Sequence, residues 1–331
     1  MKAVILAGGL GTRLRPLTDH VPKSLLPICN RPFLEHQIRL LAAHDVKEAT
    51  LLTGYLAGNF ASFAAQMRTT LGVELHISTE EKPLGTAGAV RSRLDDLDGT
   101  TIVLNGDVLT DLDISAAISF HREKGAAVTI VLTPVEDARP YGLVTLDAGA
   151  RVHAFLEKPQ DLVAGEINAG TYVLEPAVLR SVPRDTFWQF EQQLFPSLLE
   201  QAVPMFGFVS DAYWLDIGTP ERYLQAHYDI LSGRARATVD GTLVGDPTTL
   251  SDGTTIVPPV LLSHAPVGAG ATLGPLTSIA AGAHIGASAR VERSVVHAGA
   301  EIGAGAVVKA SIIGHDARVE PGAELDGAVI A

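Results

Sequence analysis

The sequence predicts an α/β domain over residues 1–233 followed by a parallel β-helix over residues 234–331. Three observations carry that prediction. All 18 aromatic residues lie at or before Tyr228, whereas the last 98 residues hold none and contain 14 glycines. Ahead of that break, apolar strand-like runs alternate with helical spacing. Beyond it, aliphatic residues recur every six positions, a period no helix has.

The strand candidates of the first part are Ala3 to Ala7, Ala49 to Leu52, Thr101 to Leu104 and Val128 to Leu132. They are apolar throughout, so they read as strands buried on both faces, as in a parallel sheet covered by helices. Phe33 to Ala43 places Leu34, Ile38 and Leu41 on one helical face. A helix also opens at Thr219, an N-cap residue, followed by Pro220 at the first helical position, and runs to Leu231. The domain boundary follows at Ser232-Gly233. In the second part Val267, Leu273, Ile279, Ile285 and Val291 keep strict register. Val296, Ile302 and Val308, then Ile313, Val319 and Leu325, continue it after steps of five. Gly268, Gly274, Gly286, Gly303 and Gly314 directly follow aliphatic positions, which suggests glycine at tight corners.

The 331 residues carry 25 Lys and Arg against 37 Asp and Glu, a formal charge of −12. That balance argues against nucleic acid or an anionic membrane as partner. An anionic substrate would need local cations to overcome the field. The single cysteine, Cys29, excludes an intramolecular disulfide and a multi-cysteine metal site, and it reads as a small apolar packing residue. The apolar run at the start is too short for a signal peptide and no stretch could span a bilayer, so a cytoplasmic location is expected.

The first strand leads into Leu6-Ala7-Gly8-Gly9-Leu10-Gly11-Thr12-Arg13-Leu14-Arg15. Glycines after a strand let backbone N–H groups close on phosphate oxygens. The Walker pattern is excluded because Thr12-Arg13 follows Gly11, and the dinucleotide fingerprint because Leu14 stands at its third small position. Arg13, Arg15 and Lys23 beside this loop, with Pro16 and Pro22, suggest a rigid polyphosphate clamp.

The segment Gly8 to Thr18, with Pro22-Lys23 and Asn30-Arg31-Pro32, resembles the opening signature of the sugar-1-phosphate nucleotidyltransferases. The resemblance continues in order through Pro83-Leu84-Gly85-Thr86-Ala87-Gly88, Leu104-Asn105-Gly106-Asp107, Tyr141-Gly142 and Phe155-Leu156-Glu157-Lys158-Pro159. Asn168-Ala169-Gly170-Thr171-Tyr172 and Trp214-Leu215-Asp216-Ile217-Gly218 complete it. With the trailing β-helix included, the branch it is most similar to is that of the mannose-1-phosphate guanylyltransferases. The resemblance implies a Rossmann-like nucleotide-diphospho-sugar transferase domain and a left-handed β-helix of hexapeptide repeats. The implied reaction is NTP plus sugar-1-phosphate giving NDP-sugar plus pyrophosphate, by in-line attack on the α-phosphorus.

Two polyanions must then meet, and one pair of like charges about 4 Å apart costs about 4 kcal/mol at an effective dielectric near 20. The resemblance assigns Asp107 and Asp216 to Mg²⁺, Arg13 to the β- and γ-phosphates, Lys23 to the α-phosphate region and Lys158 to the attacking phosphate. Leu6, Ala7, Gly8, Gly9, Gly11, Thr12, Pro83, Gly85 and Thr86 fall to the nucleotide, and Tyr141, Gly142, Glu157, Asn168, Glu191 and Trp214 to the sugar phosphate. Asp111 and Asp113 read instead as turn or helix-start residues. Glu80 is expected to read the base: guanine presents two donors, which a carboxylate accepts, so GTP is favoured over dTTP, UTP or ATP. Trp188 and Gln189 depart from the guanylyl pattern ahead of Phe195-Pro196, which leaves another hexose, a heptose or a cyclitol phosphate open beside mannose.

Two other function classes compete. Hexapeptide repeats also build acyltransferases, in which His264, His284, His297 or His315 could act as general base; solvent-facing corners are the expected place for all four. A non-catalytic NDP-sugar sensor is the other, opposed by retention of both metal carboxylates. The β-helix is expected to serve as a homo-oligomerisation surface or a lid.

Overall fold

The computed structural model describes residues 1–54 and 56–331. Packing divides them into two compact units, one of residues 1–9 and 37–214, the other of residues 10–36 and 215–331. The second unit joins residues 10–36 and the helix Pro220–Leu231 to the repeats.

The first unit is built on a nine-stranded sheet. Lys2–Leu6 lies between Glu48–Thr53 and Thr101–Asn105, parallel to both, and Glu74–Thr79 continues that half, also parallel. Val4, Ile5, Val103 and Leu104 are buried, as continuous apolar runs require. The other half corrects the purely parallel expectation. Gly165–Leu174 runs antiparallel to Thr101–Asn105, Val128–Val135 and Gly142–Leu146, and Val152–Glu157 is antiparallel to Gly142–Leu146. Burial on both faces makes a strand apolar whichever way its neighbour runs, so Ile130, Leu132, Tyr172 and Leu174 are as enclosed as the parallel strands.

In the second unit, Pro220–Leu231 begins where the sequence placed it: Thr219 accepts a hydrogen bond from Arg222 N–H. Tyr223, Ala226, His227 and Ile230 form its buried face. The repeats form three sheets of mostly parallel strands, consistent with a left-handed β-helix. Leu273, Val291, Val308 and Leu325 stack in one sheet, Ile279, Val296 and Ile313 in the second, and Ile285, Ile302 and Val319 in the third. All of them line one apolar core.

The glycines in this stack differ from expectation. Of the five after aliphatic positions, only Gly274 has positive φ. Gly268, Gly286 and Gly303 are needed because a Cβ there would meet the next coil's backbone at 2.3–2.5 Å. One histidine also departs: His264, His284 and His315 are exposed, but His297 is buried against Tyr223, whose hydroxyl lies 3.0 Å from its Nε2. No helix among the described residues is long and apolar enough to cross a membrane.

Candidate functional site

In the first unit, Leu6 ends the central strand and Ala7 N–H donates to Leu52 C=O at 2.8 Å. Gly8 and Gly9 have ordinary room for a side chain within the protein, so packing does not account for them. Gly106 is different: a Cβ would stand 2.5 Å from Leu6 C=O, which accepts the Gly106 N–H at 2.9 Å. That close approach aligns the two strand ends and puts half-buried Asp107 directly beyond Thr101–Asn105. Asp113 caps Ile114–Glu123 through Ala116 N–H at 2.9 Å, the helix-start role expected, whereas Asp111 accepts from the distant Tyr213 N–H at 2.9 Å and joins two segments of the unit.

Glu80 follows Glu74–Thr79. Burial raises its pKa, partly offset by the backbone N–H of Leu84. Its Oε1 is enclosed with no hydrogen-bond partner among the described residues, and an enclosed carboxylate oxygen without a donor is costly. Pro83 is exposed beside it. The helix Gly85–Ser92 then docks on residues 186–190: a Cβ at Gly85 would meet Trp188 C=O at 2.7 Å, and one at Gly88 would meet Thr186 C=O at 2.6 Å.

A buried polar chain links three elements of this unit, Gly85–Ser92, Gly165–Leu174 and Phe190–Leu194. Thr86 Oγ1 donates to Glu191 Oε2 at 3.2 Å, and Tyr172 Oη donates to Glu191 Oε1 at 3.1 Å. Asn168 Nδ2 donates to Tyr172 Oη at 2.9 Å, while its Oδ1 accepts from Gly170 N–H at 3.0 Å. Burial raises the Glu191 pKa against the lowering effect of these donors. Nearby, Tyr141 and Trp214 stack edge-on at 5.2 Å, and Trp214 Nε1–H donates to Ala169 C=O at 2.9 Å. Gly142 is enforced by Phe155, whose ring a Cβ would meet at 2.6 Å. Lys158 Nζ is largely exposed, 3.6 Å from Glu157 Oε1.

In the second unit, Gly11 has φ +63, and its C=O accepts from Thr18 Oγ1 at 2.9 Å. Thr12, Arg13 and Leu14 form one 3₁₀ turn, leaving Thr12 and Arg13 exposed and Leu14 buried. Lys23 starts a second such turn. The Arg13 guanidinium lies against Gly218, where a Cβ would stand 2.8 Å from Nη2. Asp216 accepts from Gly218 N–H at 3.0 Å and pairs with Arg222 at 2.6 Å. Asn30, with φ +66, donates through Nδ2 to Asp240 C=O, Ser263 Oγ and Ile279 C=O at 3.0–3.2 Å. Cys29 is buried with Sγ 3.7 Å from His227 Nδ1, and burial pushes its thiol pKa up.

Sequence reasoning did not single out Tyr172, Arg222 or Asn30 as site residues. Tyr172 and Asn30 stood inside quoted motifs. Arg222 sits three residues after the Thr219 cap, and that spacing on the first helical turn aims it back toward Asp216.

The model of the nucleotidyl transferase family matches residues 2–233, and that of the GMPPB C-terminal domain matches residues 255–331. The chain belongs to the nucleotidyl transferase family. It is an enzyme, a nucleotidyltransferase, with a Rossmann-like domain ahead of its repeats. This nucleotidyltransferase is 38% identical over 302 residues to a mannose-1-phosphate guanylyltransferase of Mycobacterium tuberculosis, covering 89% of this chain and 82% of that one. It is 39% identical over 229 residues to the mannose-1-phosphate guanylyltransferase catalytic subunit beta of Danio rerio, covering 68% and 63%. Among solved structures it is similar to HddC from Yersinia pseudotuberculosis complexed with GMP-PN, at TM-score 0.60 and 30% identity, covering 68% of this chain and 97% of that one.

Proposed function

We propose that the protein transfers the guanylyl group of GTP to a sugar-1-phosphate, most similar to mannose-1-phosphate, giving the GDP-sugar and pyrophosphate. The observation that carries this reading is the enclosed Glu80 carboxylate, with one oxygen unpartnered among the described residues and the other side held by Leu84. Guanine alone of the common bases offers N1–H and a 2-amino group side by side to such an acceptor. The mannose-1-phosphate guanylyltransferase relatives support the sugar-phosphate half of the reading.

The residue roles belong to the same proposal. Backbone N–H groups from Gly8, Gly9, Gly11 and Thr12 cradle the triphosphate, Arg13 holds its outer phosphates, and Lys23 neutralises the α-phosphate region. Lys158 carries the attacking sugar phosphate, with Glu157, Asn168, Gly142 and the Tyr141–Trp214 pair around the sugar. Glu191 is held by Thr86 and Tyr172 so that Asn168 presents a fixed face. Catalysis is by positioning and charge stabilisation, with no covalent intermediate.

A divalent cation fits the donors present. No cluster of three or more His, Cys, Asp or Glu side chains suited to a metal occurs among the described residues. Mg²⁺ needs none, since it takes one or two carboxylates and completes its shell with phosphates and water. Asp107 and Asp216 would hold it; Arg222 and Gly218 occupy only part of the Asp216 carboxylate's lone-pair capacity. Bound there, Mg²⁺ would neutralise charge on the phosphates. Pyrophosphate release from GTP with mannose-1-phosphate, measured with Mg²⁺ and again with excess chelator, tests the reading. Release that requires both the sugar phosphate and the metal is expected; release without either contradicts it.

A further inference from the structure

The helix Gly85–Ser92, whose Thr86 holds Glu191, carries Arg91 in its last turn. Arg180 and Arg184 stand on the segment that leads into Thr186 and Trp188. These three arginines line a single cavity of about 450 Å³, with Leu94, Leu97 and Asp95 among its other walls. None of the three side chains makes a hydrogen bond or ion pair with another described residue, and Arg91 Nε is enclosed without a partner. The adjacent Arg93, by contrast, pairs with Asp96. Three guanidinium groups without a partner among the described residues, against the single carboxylate of Asp95, give this cavity a local excess of positive charge in a chain of net charge −12.

We propose that this cavity binds a small phosphorylated metabolite and that its occupancy tunes the transfer reaction. Guanidinium forks match phosphate oxygens bidentately. The leucine walls suit an organic body rather than a bare ion, and the volume falls in the range of small-ligand sites. Asp95 opposes a highly charged ligand, so a phosphate monoester fits better than a nucleoside triphosphate.

The route to the site is short. Gly85 and Gly88 bring the helix against Trp188 and Thr186, and Thr86 both accepts from Phe190 N–H and donates to Glu191. Arg91 lies at the other end of that helix, and Arg184 two residues before Thr186. A phosphate held by both ties the helix to the segment that carries Glu191. The tuning of catalysis rests on the sugar-side role proposed above for Glu191; the binding does not.

Calorimetry with inorganic phosphate and then with glucose 6-phosphate and ribose 5-phosphate tests binding, using the full chain carrying Arg13→Ala so that the clamp contributes little. Arg180→Ala/Arg184→Ala in that background is expected to weaken binding at least tenfold with the thermal transition unchanged, since both side chains are exposed. The esters are expected to bind more tightly than phosphate. Absence of binding, equal affinity in the double variant, or esters no tighter than phosphate would overturn the site. In the otherwise wild-type enzyme, saturating ester is expected to change the KM for the sugar phosphate at least threefold, and not to do so in Arg180→Ala/Arg184→Ala. No change in KM with binding intact would overturn the coupling alone.

Discussion

Replacing Glu80 with Gln keeps the side chain's length and an acceptor for Leu84 N–H but turns the enclosed, unpartnered oxygen into an amide donor. Against guanine, one hydrogen bond to a charged acceptor is lost, about 1.5–3 kcal/mol, and a donor now faces a donor. A total near 3 kcal/mol corresponds to roughly a hundredfold fall in kcat/KM for GTP. An amide suits the mixed donor and acceptor edge of thymine or uracil, so the dTTP to GTP ratio should rise by at least that factor. The assay is initial-rate pyrophosphate release at fixed Mg²⁺ and saturating sugar phosphate, with each nucleotide varied. A kcat/KM for GTP within threefold of wild type, in a variant that melts normally, would refute the argument that Glu80 reads the base.

Asp107→Asn and Asp216→Asn should each abolish turnover while circular dichroism and melting stay near wild type, because neither side chain is in the apolar core. Tyr172→Phe removes a donor from Glu191 and an acceptor from Asn168, so the KM for the sugar phosphate should rise about tenfold, with a loss of about 1–2 kcal/mol. The same variant should move the acid limb of kcat/KM to higher pH. Glu80 and Glu191 act ionised and both have raised pKa values, so activity falls as pH drops through a range above that of ordinary carboxylates. Asn30→Ala loses the two amide N–H groups shared among Asp240, Ser263 and Ile279 and puts alanine at φ +66, so urea stability should fall by about 2–4 kcal/mol. His297 is lowered to about 3 by burial and His227 moves the same way. The unfolded chain therefore takes up protons below about pH 6.5 while the native chain does not, and the urea midpoint should drop between pH 7 and 5.

Local signals made much of this structure legible. Thr219-Pro220 marks a helix start through its own cap, and six-residue spacing places Leu273, Ile279 and Ile285 on successive sheets of a coil. Strand direction was not legible: Val128–Val135, buried from Val128 to Leu132, pairs antiparallel with Gly165–Leu174 on one side and parallel with Met205–Val209 on the other, and burial makes it apolar in either case. Nor were the inter-coil contacts that demand Gly268 and Gly286, the burial of His297, or the hydrogen bonds from Asn30 to residues more than 200 positions away, all of which are set by tertiary packing. In the candidate site, motif residues gave the chemistry, whereas the partners that fix them, Tyr172 for Glu191 and Arg222 for Asp216, emerged only from the fold.

The most direct measurement is a single competition. The enzyme is given equal concentrations of GTP, dTTP, UTP and ATP with Mg²⁺ and mannose-1-phosphate, then glucose-, galactose- and heptose-1-phosphate in turn, and products are identified by mass. The account predicts a GDP-sugar with one equivalent of pyrophosphate. A different NDP-sugar, or nucleoside monophosphate from hydrolysis in place of any nucleotide sugar, would contradict it.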